Sequence, residues 1–255
     1  MHSPGLALRF GKAHVMIGPM DRPRLVLASA SPRRFTLLTA LGATFTVITT
    51  DAETVALPTP PAIATALPAV AVSPDAHPTL LAWRKASTVA ALVPDAVILG
   101  ADTIVVIAGA VLNKPTDAAH AHAMLRRLAG RTHTVYTGLC VVVPPSSATN
   151  PGATLLAVAA ADVTFHALTD AAIAAYVATG EPLDKAGAYG FQGLGRRMVQ
   201  TVSGSPSAVV GLPLALTHRL LSSAGVFGLV EPAVAYARWL QNQEKEPQSW
   251  PSTLP

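Results

Sequence analysis

Apolar residues in this chain come in short runs divided by proline, glycine and small polar residues, and the runs predict alternating strands and helices. Residues 24–29 (RLVLAS) read as a short buried strand. Ser31 and Pro32 then suit an N-cap and first helical residue; Leu37, Leu38 and Leu41 share one face, and Gly42 stops the helix. A second strand is expected at 45–48, and a helix at 80–92 with Leu81, Lys85, Val89 and Leu92 at helical spacing. Between them lie six prolines (58, 60, 61, 68, 74 and 78), which argue for a loop or lid without regular structure. Residues 96–107 form a long β-branched run, broken at Gly100, Asp102 and Thr103, with a hairpin turn at Ala108-Gly109. A helix over 118–128 carries Ala121, Met124, Leu125 and Leu128 inward, and Gly130 closes it. Two long strands, 132–143 and 154–165, should pair as a hairpin. Thr169 caps a helix to about residue 179, and 181–195 is glycine-rich with no apolar period. A strand at 198–202 and a helix at 212–221 follow. Beyond Glu231 a short helix and a polar tail are expected to lie outside the core. There is no internal repeat.

Composition narrows the class. Of 255 residues, 51% are hydrophobic and 13% charged, which excludes a disordered chain, and the single cysteine, Cys140, excludes a disulfide scaffold. Apolar runs are interrupted well before the ~20 residues a membrane span needs. The net charge of +4 suits an anionic ligand such as a nucleotide, whereas the basic residues are too scattered for a nucleic-acid surface. Residues 1–23 form a flexible extension, read as an upstream start or loose arm in preference to a targeting peptide, so a cytoplasmic protein is expected.

Sparse charge makes each buried-looking charge informative. Asp102 sits inside VILGADTIVVI. It is either a strand-end turn residue bonding local backbone, or a carboxylate that holds a divalent metal or takes a proton from water. Between Arg24 and Leu240 there are only three lysines, Lys85, Lys114 and Lys185, in a chain that otherwise uses arginine. Each alone is an ordinary surface lysine; together they are candidates for sites that need a compact ammonium. The turn SASPRR offers Ser29, Ser31, Arg33 and Arg34 at a helix start, either a simple cap or a phosphate cradle. The glycines of 181–195 permit close backbone approach to a ligand or simply make a long turn; no Walker loop is present. His120 and His122 cannot share a helix face, His133 starts a strand, and Cys140 reads as core, so a histidine metal site or a cysteine nucleophile is not expected.

Five segments in order, LASASPRRFTLL, ILGADTIVV, VLNKPTDAAHAHAMLRRLAGRTHTVYTG, YVATGEPLDKAGAYGFQGLG and VVGLPL, resemble the Maf family of nucleoside triphosphate pyrophosphatases. They spread over residues 24–221, and Asp102 and the three lysines all fall at motif positions. The resemblance implies a two-lobed α/β fold with a central mixed sheet and a nucleotide cleft over 24–225, flanked by the extension and a tail over 226–255. It implies cleavage between the α and β phosphates, a divalent cation (Mg²⁺ or Mn²⁺), and a homodimer. Carried over by position, Asp102 would be the proton acceptor, and Arg34, Thr103 and Gln192 would bear on substrate choice. Ser29, Arg33, Lys85, Lys114, Asp184 and Lys185 would line the phosphate and metal region. SPRR, ADT and DKAGAYGFQG look like the dTTP/UTP subgroup. The family's acidic motif after the second strand is shifted here to TTDAETV, and Glu53 is expected as a metal ligand beside Asp102. The proline-rich lid is longer than usual, and Pro206 stands where an aromatic is common. The expected activity is hydrolysis of dTTP, UTP and modified pyrimidine nucleotides. The alternatives are the same chemistry on 7-methyl-GTP or another base, and a nucleotide-binding regulator of cell division with little catalysis.

Overall fold

The computed structural model describes residues 23–49, 57–145 and 151–243. Seven strands form one mixed sheet flanked by helices. In chain order the elements are β1 (Leu25–Ala28), α1 (Pro32–Ala40), β2 (Thr46–Val47), α2 (Pro61–Ala66), α3 (Pro78–Leu92), β3 (Val97–Ile107), β4 (Ala110–Leu112) and α4 (Ala118–Leu128). There follow β5 (Thr132–Val143), β6 (Ala153–Phe165), α5 (Asp170–Ala178), β7 (Val199–Gly204), α6 (Pro206–Val210), α7 (Leu214–Ser223) and α8 (Pro232–Gln243). The sheet order is β2-β1-β3-β5-β6-β7, with β4 folded back on the end of β3. β1 runs parallel to β2 and β3, and the remaining pairs are antiparallel.

β3 and β5 form the spine of the sheet. Their alternating faces feed separate apolar clusters, as the period of two in a strand requires. Leu99, Ala101, Leu139 and Val141 face the cluster under α1, α7 and α8. Ile98 and Cys140 face the cluster under α3. The far end of β3, with Val105 and Ile107, joins a third cluster beneath α4 and α5. Two glycines let α3 lie directly on the sheet. A Cβ on Gly100 would meet the Ala82 carbonyl oxygen at 2.3 Å, and one on Gly138 would meet the Thr79 nitrogen at 2.2 Å. The turn joining β3 to β4 has left-handed backbone at both Ala108 (φ 49°) and Gly109 (φ 75°), the geometry of a tight two-residue hairpin.

Three expectations from the pattern are corrected. First, β3 is not broken at Gly100, Asp102 and Thr103: all three lie within one continuous strand. Gly100 serves helix packing, and Asp102 and Thr103 find polar partners without leaving the ladder. Second, the proline-rich stretch contains a short helix, α2, because Pro61 sits in the first turn, where its missing N–H costs nothing. Third, residues 226–243 of the expected tail are not external. Val226, Ala235 and Trp239 are buried in the main cluster, and the Trp239 indole N–H donates to Thr36 Oγ1 of α1 at 3.3 Å. The expected extension at 1–23 and the lid residues 50–56 fall almost wholly outside the described residues. No helix among those described is long and apolar enough to cross a membrane.

Candidate active site

β1 is short, and that shortness opens a gap in the sheet. Its last residue, Ala28, pairs with Gly100, and the next neighbour on that edge of β3 begins at Val105, paired with Leu112 of β4. Residues 101–104 therefore have a sheet partner only on the β5 side. A cavity of about 310 Å³ lies against this gap, beyond the carboxyl end of β1. Successive strand residues point to opposite faces, so Asp102 and Thr103 border the cavity from two sides.

On the α3 side, Lys85 Nζ donates to Asp102 Oδ1 at 2.7 Å, with both side chains about 15% exposed. The glycine contacts under α3 set the height at which Lys85 reaches the strand. On the opposite side, three acceptors among the described residues hold the Arg34 guanidinium. Its Nε donates to the Gly211 carbonyl (3.0 Å), and its two terminal nitrogens donate to Ser29 Oγ (3.0 Å) and Thr103 Oγ1 (3.2 Å). Thr137 Oγ1 donates its one proton to the Ala208 carbonyl (2.7 Å), so the Thr103 hydroxyl donates to Thr137 Oγ1 (2.9 Å). Arg34 thus ties the loop after β1, the strand β3 and the turn after α6 into one polar network. Its planar fork reaches three directions at once, which a lysine would not match.

The third wall comes from the glycine-rich segment. Asp184 bridges Arg33 (3.2 Å) and Lys185 (2.6 Å). Partial burial pushes the Asp184 carboxyl up, but the bonds and charges of Lys185 and Arg33 outweigh this and hold it below the usual range. Lys114, Ala186, Tyr189, Gly190 and Phe191 complete this side. Behind Tyr189, its hydroxyl and His133 Nε2 lie 2.8 Å apart, and both rings pack edge-on against Phe165. Burial lowers the His133 imidazole to about 4, only partly opposed by Asp162. Burial likewise pushes the Cys140 thiol up, as expected for a core residue.

Nine of the residues assigned by the family resemblance therefore border one cavity: Ser29, Arg33, Arg34, Lys85, Asp102, Thr103, Lys114, Asp184 and Lys185. Gln192 does not. Its amide nitrogen donates to Gln243 Oε1 of α8 at 2.9 Å, and it is absent from the cavity lining. Glu53 lies outside the described residues. Sequence reasoning missed Glu181, whose carboxylate gathers Tyr176 and two backbone N–H groups; an acid opening a glycine-rich stretch is the only local signal.

A family model described as Maf-like protein matches residues 24–224. The chain belongs to the Maf family. Among curated relatives, a dTTP/UTP pyrophosphatase of Moorella thermoacetica is 48% identical over 80% of this chain and 96% of its own length. One of the same name from Anaeromyxobacter dehalogenans is 48% identical over 80% of this chain and 95% of its own. A third, from Deinococcus radiodurans, is 43% identical over 80% and 94%.

The donor set of this Maf chain tests which kind of cation it could hold. Among the described residues no three His, Cys, Asp or Glu side chains cluster closely enough to form a cage. One largely buried carboxylate, Asp102, faces the cavity, and its polar lining includes the more exposed Asp184, hydroxyls and cationic side chains. Hard ions of the Mg²⁺ kind accept one or two carboxylates with phosphate and water completing the shell. The residues are compatible with such an ion, for which Asp102 would be the protein ligand and a polyphosphate would be the other holder.

Proposed function

We propose that this chain hydrolyses dTTP and UTP, and modified pyrimidine nucleotides like them, to a nucleoside monophosphate and pyrophosphate. The observation that carries the reading is the meeting of the Lys85–Asp102 pair and the Arg34–Thr103 network across the gap left by β1. Similarity in sequence to three enzymes named for this activity supports it.

Phosphoryl chemistry needs charge neutralisation and positioning more than covalent help. Arg33, Lys114 and Lys185 border the cavity where a triphosphate would lie, and Asp184 is paired with two of them, Arg33 and Lys185. A carboxylate offers about four acceptor positions, so the Lys85 bond at Oδ1 leaves Asp102 able to accept from an attacking water. Asp102 takes that water's proton as its oxygen bonds to phosphorus. The bridge between the α and β phosphates breaks, and its electron pair leaves with pyrophosphate. A divalent cation, when bound at Asp102, would spread the charge building on the phosphate oxygens. Ser29, Arg34 and Thr103 form the rigid polar wall against which the nucleotide is read.

The test is turnover of dTTP, UTP and 7-methyl-GTP with Mg²⁺ or Mn²⁺, with products separated by chromatography. Preference for the pyrimidine nucleotides with pyrophosphate as product is expected; orthophosphate would refute the bond assignment, and preference for 7-methyl-GTP the substrate class. Asp102→Asn should lose at least about 100-fold in kcat, the scale of a general base. Activity close to wild type would remove Asp102 from its role.

A further inference from the structure

The segment from residue 181 to 195 supplies six of the cavity-lining residues: Asp184, Lys185, Ala186, Tyr189, Gly190 and Phe191. Its regular structure is limited to short 3₁₀ pieces, over Glu181–Asp184, Ala186–Ala188 and the start of Gly193–Met198. Helix or sheet hydrogen bonding alone does not explain why it keeps one shape. The structure supplies another cause. Glu181 Oε1 accepts from the Tyr176 hydroxyl (2.9 Å) and from the Gly195 N–H (3.1 Å), while Oε2 accepts from the Leu194 N–H (3.0 Å). Tyr176 Oη accepts in turn from the Gly190 N–H at 3.2 Å. The Glu181 carbonyl accepts from Lys185 Nζ. One residue thus joins the start of the segment to its end and holds the Lys185 ammonium between.

The packing agrees. A Cβ on Gly195 would stand 2.7 Å from Tyr176 Oη and 2.5 Å from the Gly190 carbonyl, so the turn closes tightly over the pair. Burial, with the Glu181 carboxylate beside it, pushes the Tyr176 phenol up, so the hydroxyl stays a donor over the physiological range.

We propose that Glu181 is a positioning residue of this active site: its carboxylate staples the 181–195 segment shut and thereby sets Lys185 against the bound phosphates. The part concerning phosphates rests on the function proposed above; the staple itself does not. Glutamine is the informative replacement, because it matches glutamate in shape but offers one acceptor oxygen. Leu194 and Gly195 present N–H donors to different carboxylate oxygens, so the amide must turn an NH₂ toward one of them.

Two measurements on the full chain test this. The first needs no substrate. In Glu181→Gln at least one of the Leu194 and Gly195 amides should exchange with solvent at least about tenfold faster, while amides in β3 and β5 keep wild-type protection. Unchanged exchange at both positions overturns the staple. The second is steady-state hydrolysis of dTTP. Ordering the segment would then fall to the bound substrate, so KM should rise about tenfold with kcat within about threefold. In a Lys185→Met background the same Glu181→Gln change should alter KM less than about twofold. An equal rise in both backgrounds overturns the route through Lys185. Wild-type protein that hydrolyses neither dTTP nor UTP refutes the proposed function instead, and the exchange data still decide the staple. If Glu181→Gln fails to fold, Tyr176→Phe removes one donor that holds the carboxylate and should likewise speed exchange at Leu194 or Gly195; wild-type protection at both overturns the proposal.

Discussion

Replacing Gly100 by alanine tests whether the sheet surface beneath α3 sets the active-site geometry. The new Cβ would lie 2.3 Å from the Ala82 carbonyl oxygen, 3.0 Å from Ala86 Cβ and 3.1 Å from the Ala86 nitrogen. Two of these are backbone atoms, so no rotamer change relieves the clash. Ordinary contact begins near 3.4 Å, so the helix must lift by about 1 Å at this point. Lys85 lies between the two contacted residues and donates to Asp102 at 2.7 Å, a bond that a displacement of that size would break or bend. Forced overpacking of a core typically costs about 1–3 kcal/mol. For a domain of this size that corresponds to a Tm lower by roughly 2–12 °C. A misplacement of about 1 Å in a catalytic group can cost on the order of 100-fold in rate. The assay is a thermal melt together with dTTP turnover. Gly109→Ala is the control: its Cβ would meet nothing within 4 Å, and only the left-handed turn (φ 75°) resists it. The expected outcome is a loss of rate in Gly100→Ala far beyond what its lowered Tm explains, and near-normal rate in Gly109→Ala. Wild-type Tm and rate in Gly100→Ala would refute the claim that this close approach positions Lys85.

Trp239→Ala should destabilise the chain by about 3–5 kcal/mol, the usual range for emptying a buried indole site, and lower Tm by roughly 6–20 °C. A melt indistinguishable from wild type would show that α8 does not belong to the cooperative core. His133 gives a pH signature. Its imidazole falls from 6.5 to about 4 in the folded chain, so the unfolded chain binds the extra proton between those values. The stability tied to neutral His133 is present above pH 6.5 and is lost as pH falls toward 4. Urea unfolding at pH 7 and pH 5 should differ by about 2 kcal/mol more in wild type than in His133→Gln. Equal pH dependence in the two proteins would refute the buried-histidine argument.

The elements legible in the sequence are those whose cause is local. The α1 cap at Ser31-Pro32, the α4 stripe of Ala121, Met124, Leu125 and Leu128, and the Ala108-Gly109 turn each need only neighbours in the chain. What escaped local reading has its cause elsewhere in the fold. Gly100 looked like a strand breaker because the helix that needs its missing side chain starts more than twenty residues upstream. Trp239 looks like tail because a polar, proline-containing stretch follows α8 in the sequence, and the apolar face of the helix has meaning only against α1 and α7. The motif assigns Gln192 a part in substrate choice, and the partner that holds its amide, Gln243, lies in that same helix, whose place against the core is not a local property. Glu181 carried no period and no repeat; its partners are backbone groups 13 and 14 residues later, which composition cannot display.

The site itself joins the two kinds of information. Its charged residues were visible because charge is scarce in this chain, and scarcity singled out Asp102 and the three lysines. The reason they can work together was not visible, since it is a length. β1 stops at Ala28 while β3 runs on to Ile107, and the edge left between β1 and β4 is where Asp102 and Thr103 become reachable from both faces of the sheet. A β1 longer by three or four residues could pair along that edge and close the gap. The four-residue length of β1 is therefore as much a part of the site as the carboxylate beside it.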